Sequence, residues 1–68
     1  MTTYRFARAT SEGVVLDEQV RDLPDDDAAS DWMGAEFLLP GEHLEAFRDG
    51  AGEPFAGRDF TRGVEVFR

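Results

Sequence analysis

The chain contains no cysteine, no lysine, no isoleucine and no asparagine, and only one histidine, His43. Without cysteine, disulfides, thiolate metal sites and a cysteine nucleophile are all excluded. A single imidazole leaves little from which to build a zinc site. No apolar run reaches the length of a signal-peptide core or a membrane span, so the expected location is the cytoplasm of a bacterial host cell. The missing lysines leave seven arginines as the only strong bases. Together with abundant Gly, Ala, Asp and Glu, this composition points to a GC-rich bacterial or phage genome.

What the chain does have is acid. Its 68 residues carry 15 Asp and Glu against those seven arginines, a formal charge of −8. A chain of this length makes one compact domain, residues 1–68, and removes only about 60% of its unfolded surface from water. Tyr4, Trp32 and six phenylalanines supply one modest core. The excess charge is concentrated. Residues 25–49 hold Asp25, Asp26, Asp27, Asp31, Glu36, Glu42, Glu45 and Asp49 against Arg48 alone, whereas the flanking segments are nearly balanced. Such a run is either a solvated face or a contact surface. Gathering like charge destabilises a small fold, which favours the contact surface.

Hydrophobic periodicity predicts an α+β domain: a small antiparallel sheet, made of an N-terminal hairpin and a C-terminal strand, packed with one or two short helices. Residues 3–9 alternate, with Tyr4 and Phe6 on one side. Thr10-Ser11-Glu12-Gly13 has turn chemistry, and residues 14–20 form the second arm. Leu23-Pro24-Asp25-Asp26-Asp27 opens a helix with Ala28, Ala29, Trp32 and Met33 on its inner face and Asp27, Ser30 and Asp31 outside. Gly34 is placed to close it in a left-handed conformation. Residues 35–39 continue the helix or form a short strand, the strand being preferred. Residues 42–49 read as a second helix with Leu44 and Phe47 inward and Gly50 at its end. Residues 59–67 read as the last strand, with Phe60, Val64 and Val66 on one face. Arg5, Arg8, Arg21, Arg58, Arg62 and Arg68 fall in or near strands, where they can pair with acids across the sheet.

The sequence carries no catalytic motif, and no cofactor is implied. A calcium loop starting at Asp25 would put Ala29 at a ligand position and Ser30 where the sharp turn needs glycine. Ser11 and Ser30 have no activating motif around them, and His43 reads as a surface residue. Trp32 reads as core, with a partner hot spot as the alternative. Direct binding to nucleic acid is disfavoured by phosphate repulsion.

Carboxylates can instead replace phosphates. Alternate strand residues lie roughly 7 Å apart and helix residues four apart about 6 Å, close to phosphate spacing. Asp27 with Asp31, and Glu45 with Asp49, have the four-residue spacing. In size, absence of cysteine, α+β pattern and the acids from Asp25 to Asp49, the chain resembles the small acidic phage anti-CRISPR proteins of the DNA-mimic kind. That resemblance implies a non-enzymatic inhibitor occupying the basic groove of a nucleic-acid-binding protein or CRISPR effector complex, and blocking target-DNA or PAM recognition. The eight central acids are then the partner-binding residues. Tyr4-Arg5-Phe6, Val15-Leu16-Asp17-Glu18 and Leu23-Pro24-Asp25 with Ala28-Ala29 also look like a family of short bacterial domains with an aromatic strand, an acidic hairpin and an LPD helix start. This second resemblance covers the first half only and implies no activity. The alternative function is a small protein-interaction module, antitoxin-like or regulatory, that binds through an apolar surface.

Overall fold

Strand β1, Thr2–Thr10, carries the alternation expected of it: Tyr4 and Phe6 are buried beneath a helix, and Arg5 points to the other side. A turn at residues 11–14 uses Gly13 at φ 89° and leads into β2, Val15–Leu23, which runs three residues beyond the expected second arm. Helix α1, Asp26–Ala35, follows; then come β3, Glu42–Arg48, β4, Ala56–Asp59, and β5, Glu65–Val66. This computed structural model describes residues 1–67, so Arg68 lies outside the described residues. The five strands form one antiparallel sheet in the order β2-β1-β3-β4-β5, with α1 on one face. Among the described residues the fold is α+β as expected, with one helix of the one or two expected, but with a larger sheet and the order ββαβββ.

Several expectations are overturned. Residues 42–49 form no helix. Leu44 and Ala46 alternate with His43, Glu45 and Phe47, and the segment fills the place beside β1 as the central strand. Seven residues are too few for a helix to persist without strong packing, whereas β1 and β4 satisfy the backbone of β3 from both sides. Phe47 therefore faces away from the core, under the Arg5 guanidinium at 4.2 Å. Gly50 caps no helix; it sits at φ 75° in a turn closed by Ala51 N–H donating to the Arg48 carbonyl at 3.0 Å. Residues 35–39 make no strand. Only Leu38 of the Phe37-Leu38-Leu39 run is buried, and the run pairs with no strand of the sheet. The expected strand 59–67 is broken by an Asp59 turn. There the Thr61 hydroxyl and the Thr61 and Arg62 amides bind the Asp59 carboxylate at 2.8–3.0 Å. Phe60 is consequently exposed, and Val64 alone of that segment packs against the core.

The helix begins as expected and ends differently. Asp25 is the N-cap, its carboxylate accepting from Ala28 N–H at 2.9 Å. Gly34 stays in ordinary helical conformation, and Glu36 leaves the helix with φ −74° and ψ 145°. A side chain joins the last carbonyls: Arg58 of β4 donates from Nη1 to Met33 O at 2.6 Å, which also accepts from Glu36 N–H at 3.2 Å, and to Glu36 O at 2.8 Å. The inner face of α1 matches the reading. Ala29 and Met33 are buried, and Trp32 stacks on Phe6 with ring centroids 4.2 Å apart.

The helix N-terminus is tied to two strands at once. Tyr4, 1% exposed, donates its hydroxyl to Asp26 Oδ1 at 2.7 Å, and Arg48 of β3 donates Nε to Asp26 Oδ2 at 3.2 Å. Hydrogen bonds from Arg48, then Tyr4, hold the Asp26 carboxyl below its ordinary 3.8. A carboxylate with a depressed folded pKa stabilises fully above the unfolded value, and the contribution disappears as pH falls through the folded one. Urea unfolding across the acid range is expected to show this loss, and Asp26→Asn is expected to flatten that part of the profile. At neutral pH, Tyr4→Phe is expected to lower stability by about 1 kcal/mol, the net worth of one hydrogen bond. Arg58→Ala, which removes a charged donor from the Met33 and Glu36 carbonyls, is expected to lower it by roughly 1.5–3 kcal/mol in the same measurement.

Candidate functional site: the acidic end of the sheet

The strand register places the acids. Tyr4 lies opposite both Arg21 and Arg48, and Thr3 opposite Asp22. Asp49 follows Arg48 directly, at the same end of the sheet. The bonds from Tyr4 and Arg48 to Asp26 seat the helix N-terminus over that end too. Asp25, Asp26, Asp27, Asp49 and Asp22 thus share one end of the sheet, with Asp22 and Asp49 on the face away from α1, beside Thr3, and Asp25, Asp26 and Asp27 on the helix side. Asp31 lies one turn further along the exposed side of α1, about 6 Å up the axis from Asp27. The positive end of the helix dipole favours carboxylates here.

The other three expected site residues are elsewhere. Glu36 is at the far end of α1. Glu42 is at the start of β3, accepting from Leu39 N–H at 2.9 Å with Arg8 at 4.0 Å. Glu45 is in mid-sheet on the face away from the helix, 3.8 Å from His43. Glu42 and Glu45 would share the outside of a helix; on a strand, residues three apart face opposite ways. The spacing argued for Glu45 and Asp49 also fails, since four residues of strand extend about 13 Å.

Of the clustered acids only Asp26 is in an ion pair; Asp22, Asp27, Asp31 and Asp49 have none among the described residues. The arginines are engaged in other places: Arg5 with Glu18 at 2.9 Å, Arg8 with Asp17 at 3.7 Å, Arg48 with Asp26, and Arg58 with the helix carbonyls. Asp22 was missed because the sequence assigns it to a nearly balanced N-terminal third; only the pairing with Thr3 reveals its position. A second missed feature lies on the open face. Glu18, Glu45 and Glu65 occupy one row across the sheet, separated by Ala7 and Gly57. Their backbones are two strands, or about 9–10 Å, apart.

The opposite end of the sheet carries exposed apolar side chains among polar ones. Phe37 is 72% exposed, Leu39 52% and Phe60 49%, and the hairpin turn joins this end through Ser11 N–H donating to Gly41 O at 2.9 Å. Pro40, Gly41, Phe60 and Thr61 line an open depression there with Ser11 and His43. Among the described residues, no three His, Asp or Glu side chains converge as a metal site would require. No helix among them is long and apolar enough to cross a membrane. Comparison with known protein families, curated proteins and solved structures finds no match to this chain.

The geometry separates acids the fold uses from acids it does not. Asp25→Ala is expected to lower stability by about 1 kcal/mol through loss of the cap. Asp31→Asn and Asp49→Asn are expected to change it by less than about 0.5 kcal/mol. Chemical denaturation at one salt concentration compares all three.

Proposed function

We propose that the protein is an acidic binding protein, not an enzyme, that occupies the basic nucleic-acid-binding groove of a partner in place of DNA. An anti-CRISPR protein blocking target-DNA or PAM recognition is the form of this function that its size and charge fit best. The observation that carries the reading is the end of the sheet where Asp22, Asp27, Asp31 and Asp49 stand without ion pairs among the described residues, on a chain of charge −8. A protein that binds DNA does so largely with arginine and lysine directed at phosphates. Asp27 and Asp31, about 6 Å apart along the helix axis, present such a groove with charge at a spacing close to that of phosphates. Of the eight central acids, Asp25, Asp26, Asp27, Asp31 and Asp49 fit this role. Glu36, Glu42 and Glu45 lie outside it, and Asp22 is added.

A second reading rests on the opposite end. Phe37, Leu39 and Phe60 are large apolar side chains left exposed, as in a module that docks on a protein through an apolar surface. The two readings differ in salt response. Charge-driven association slows steeply with ionic strength, whereas an apolar contact barely responds.

The test is competition on a panel of CRISPR effector ribonucleoproteins, with a labelled target duplex followed by fluorescence anisotropy. The protein is expected to displace the duplex from its effector. The triple reversal Asp27→Arg, Asp31→Arg and Asp49→Arg is expected to slow association at low salt by on the order of tenfold or more. Phe37→Ser with Phe60→Ser should leave displacement unchanged. An effector that holds the duplex and the protein simultaneously would refute the mimic; loss of binding in the phenylalanine variant alone would establish the apolar reading.

A further inference from the structure

The two edges of the sheet are unlike. β5 is two residues long, a short edge of the kind that discourages further pairing. β2 is nine residues long, contains neither glycine nor proline, and leaves Val15, Leu16 and Val20 exposed. Its hydrogen-bonding direction follows from the turn contacts. Thr10 N–H donates to Val14 on the β2 side, and Ser11 N–H donates to Gly41 on the β3 side. Even-numbered residues of β1 therefore face β2. Given the register, Asp17, Gln19 and Arg21 direct their backbone groups inward, while Glu18, Val20 and Asp22 direct theirs outward. The Val20 carbonyl confirms this, since it is free to accept from the Arg21 side chain at 2.9 Å.

This edge is also where the charge is balanced. Arg5 and Arg8 lean onto Glu18 and Asp17, so that three arginines (with Arg21) meet three acids (with Asp22). A second copy of a chain of charge −8 is repelled least here. Read against itself in the antiparallel sense, β2 has one favourable register. With Gln19 on the two-fold axis, Asp17 stands opposite the second copy's Arg21, twice over, and Glu18 stands opposite Val20. Shifting by two residues sets Glu18 against Glu18 in one direction and against Asp22 in the other, like charge on like charge.

We propose that β2 pairs with β2 of a second copy in that register, joining the two sheets edge to edge about an axis through Gln19. Arg21 then exchanges its bond to its own Val20 carbonyl for the second copy's Asp17, and the carbonyl accepts from the second copy's Glu18 N–H. The inference does not rest on the proposed function or on any partner protein.

The absence of native cysteine makes the test direct. Gln19→Cys, Glu18→Cys and Val20→Cys each report one register, and Thr61→Cys, on an exposed turn, reports random collision. Under mild oxidation Gln19→Cys is expected to cross-link fastest, and the wild-type chain to sediment as a dimer at high concentration. Asp17→Arg is expected to weaken the dimer by about tenfold, and adding Arg21→Asp to restore it. A merely local role for Asp17 beside Arg8 would not be rescued in this way. A chain that stays monomeric up to about 1 mM would overturn the proposal. So would Glu18→Cys or Val20→Cys outpacing Gln19→Cys, or Gln19→Cys linking no faster than Thr61→Cys.

Discussion

The structure depends on one carboxylate. Asp26 is the point where β1, α1 and β3 meet, because Tyr4 and Arg48 both donate to it across the seam between sheet and helix. A ten-residue helix has little stability of its own. Its inner face contributes Ala29, Met33 and part of Trp32, a small apolar area for a core this size. Two polar clamps therefore fix its position: Asp26 at the first turn and Arg58 on the last carbonyls. Burial and the neighbouring Asp26 carboxylate push the Tyr4 phenol above its ordinary pKa, so it stays a donor. Arg48 completes the seam by lying over Phe55, 4.6 Å from the ring centroid.

The same carboxylate limits how acidic the end of the sheet can be. Asp26 is the acid nearest the core and the one with a guanidinium on it; those further out have none among the described residues. The arginines follow one pattern. Arg48 apart, each described arginine with a resolved contact is held close to its own strand neighbours or to a backbone carbonyl. Planar guanidinium groups with several donors suit such bidentate and carbonyl-capping positions better than an ammonium would. Surface pairs of this kind stabilise little individually. Their larger effect is on distribution, since they neutralise the hairpin and leave the helix N-terminus and its neighbouring turn acidic.

Local signals made the first half of the fold legible. The inward Tyr4 and Phe6 of β1, the turn ending at Gly13 and the Asp25 cap are each determined within a few residues and occur as read, although Ala7 and Ala9 on the other face are buried too. The second half depends on pairing across the sheet, which periodicity does not report. Leu44 and Phe47 have helical spacing by coincidence, and the Asp49-Gly50 turn resembles a helix end, although Asp-Gly is also a hairpin signal. The helix C-terminus was illegible for another reason. Its cap is Arg58, 22 residues from Glu36, and no rule about Gly34 anticipates a side chain arriving from β4. The candidate site shared this division. Asp25 to Asp31 stayed together because one helix carries them, whereas Glu42 and Glu45 separated when their segment became a strand.

The acidic end and the β2 edge bear on each other through geometry. Asp22 lies near the C-terminal end of β2, on the side of the sheet where Asp25, Asp27 and Asp49 gather. Were two copies to pair with parallel β2 strands, both acidic ends would sit side by side, within the reach of unscreened repulsion. Antiparallel pairing sets each acidic end beside the other copy's hairpin turn, with about 20 Å along the strands between the two Asp22 residues. That is some two Debye lengths at 0.1 M salt, so repulsion between the two ends is largely screened. The charge balance of the hairpin and the concentration of acid elsewhere then act together. The first lets a second copy approach, and the second sets its orientation, leaving two acidic ends at opposite corners and free for other contacts.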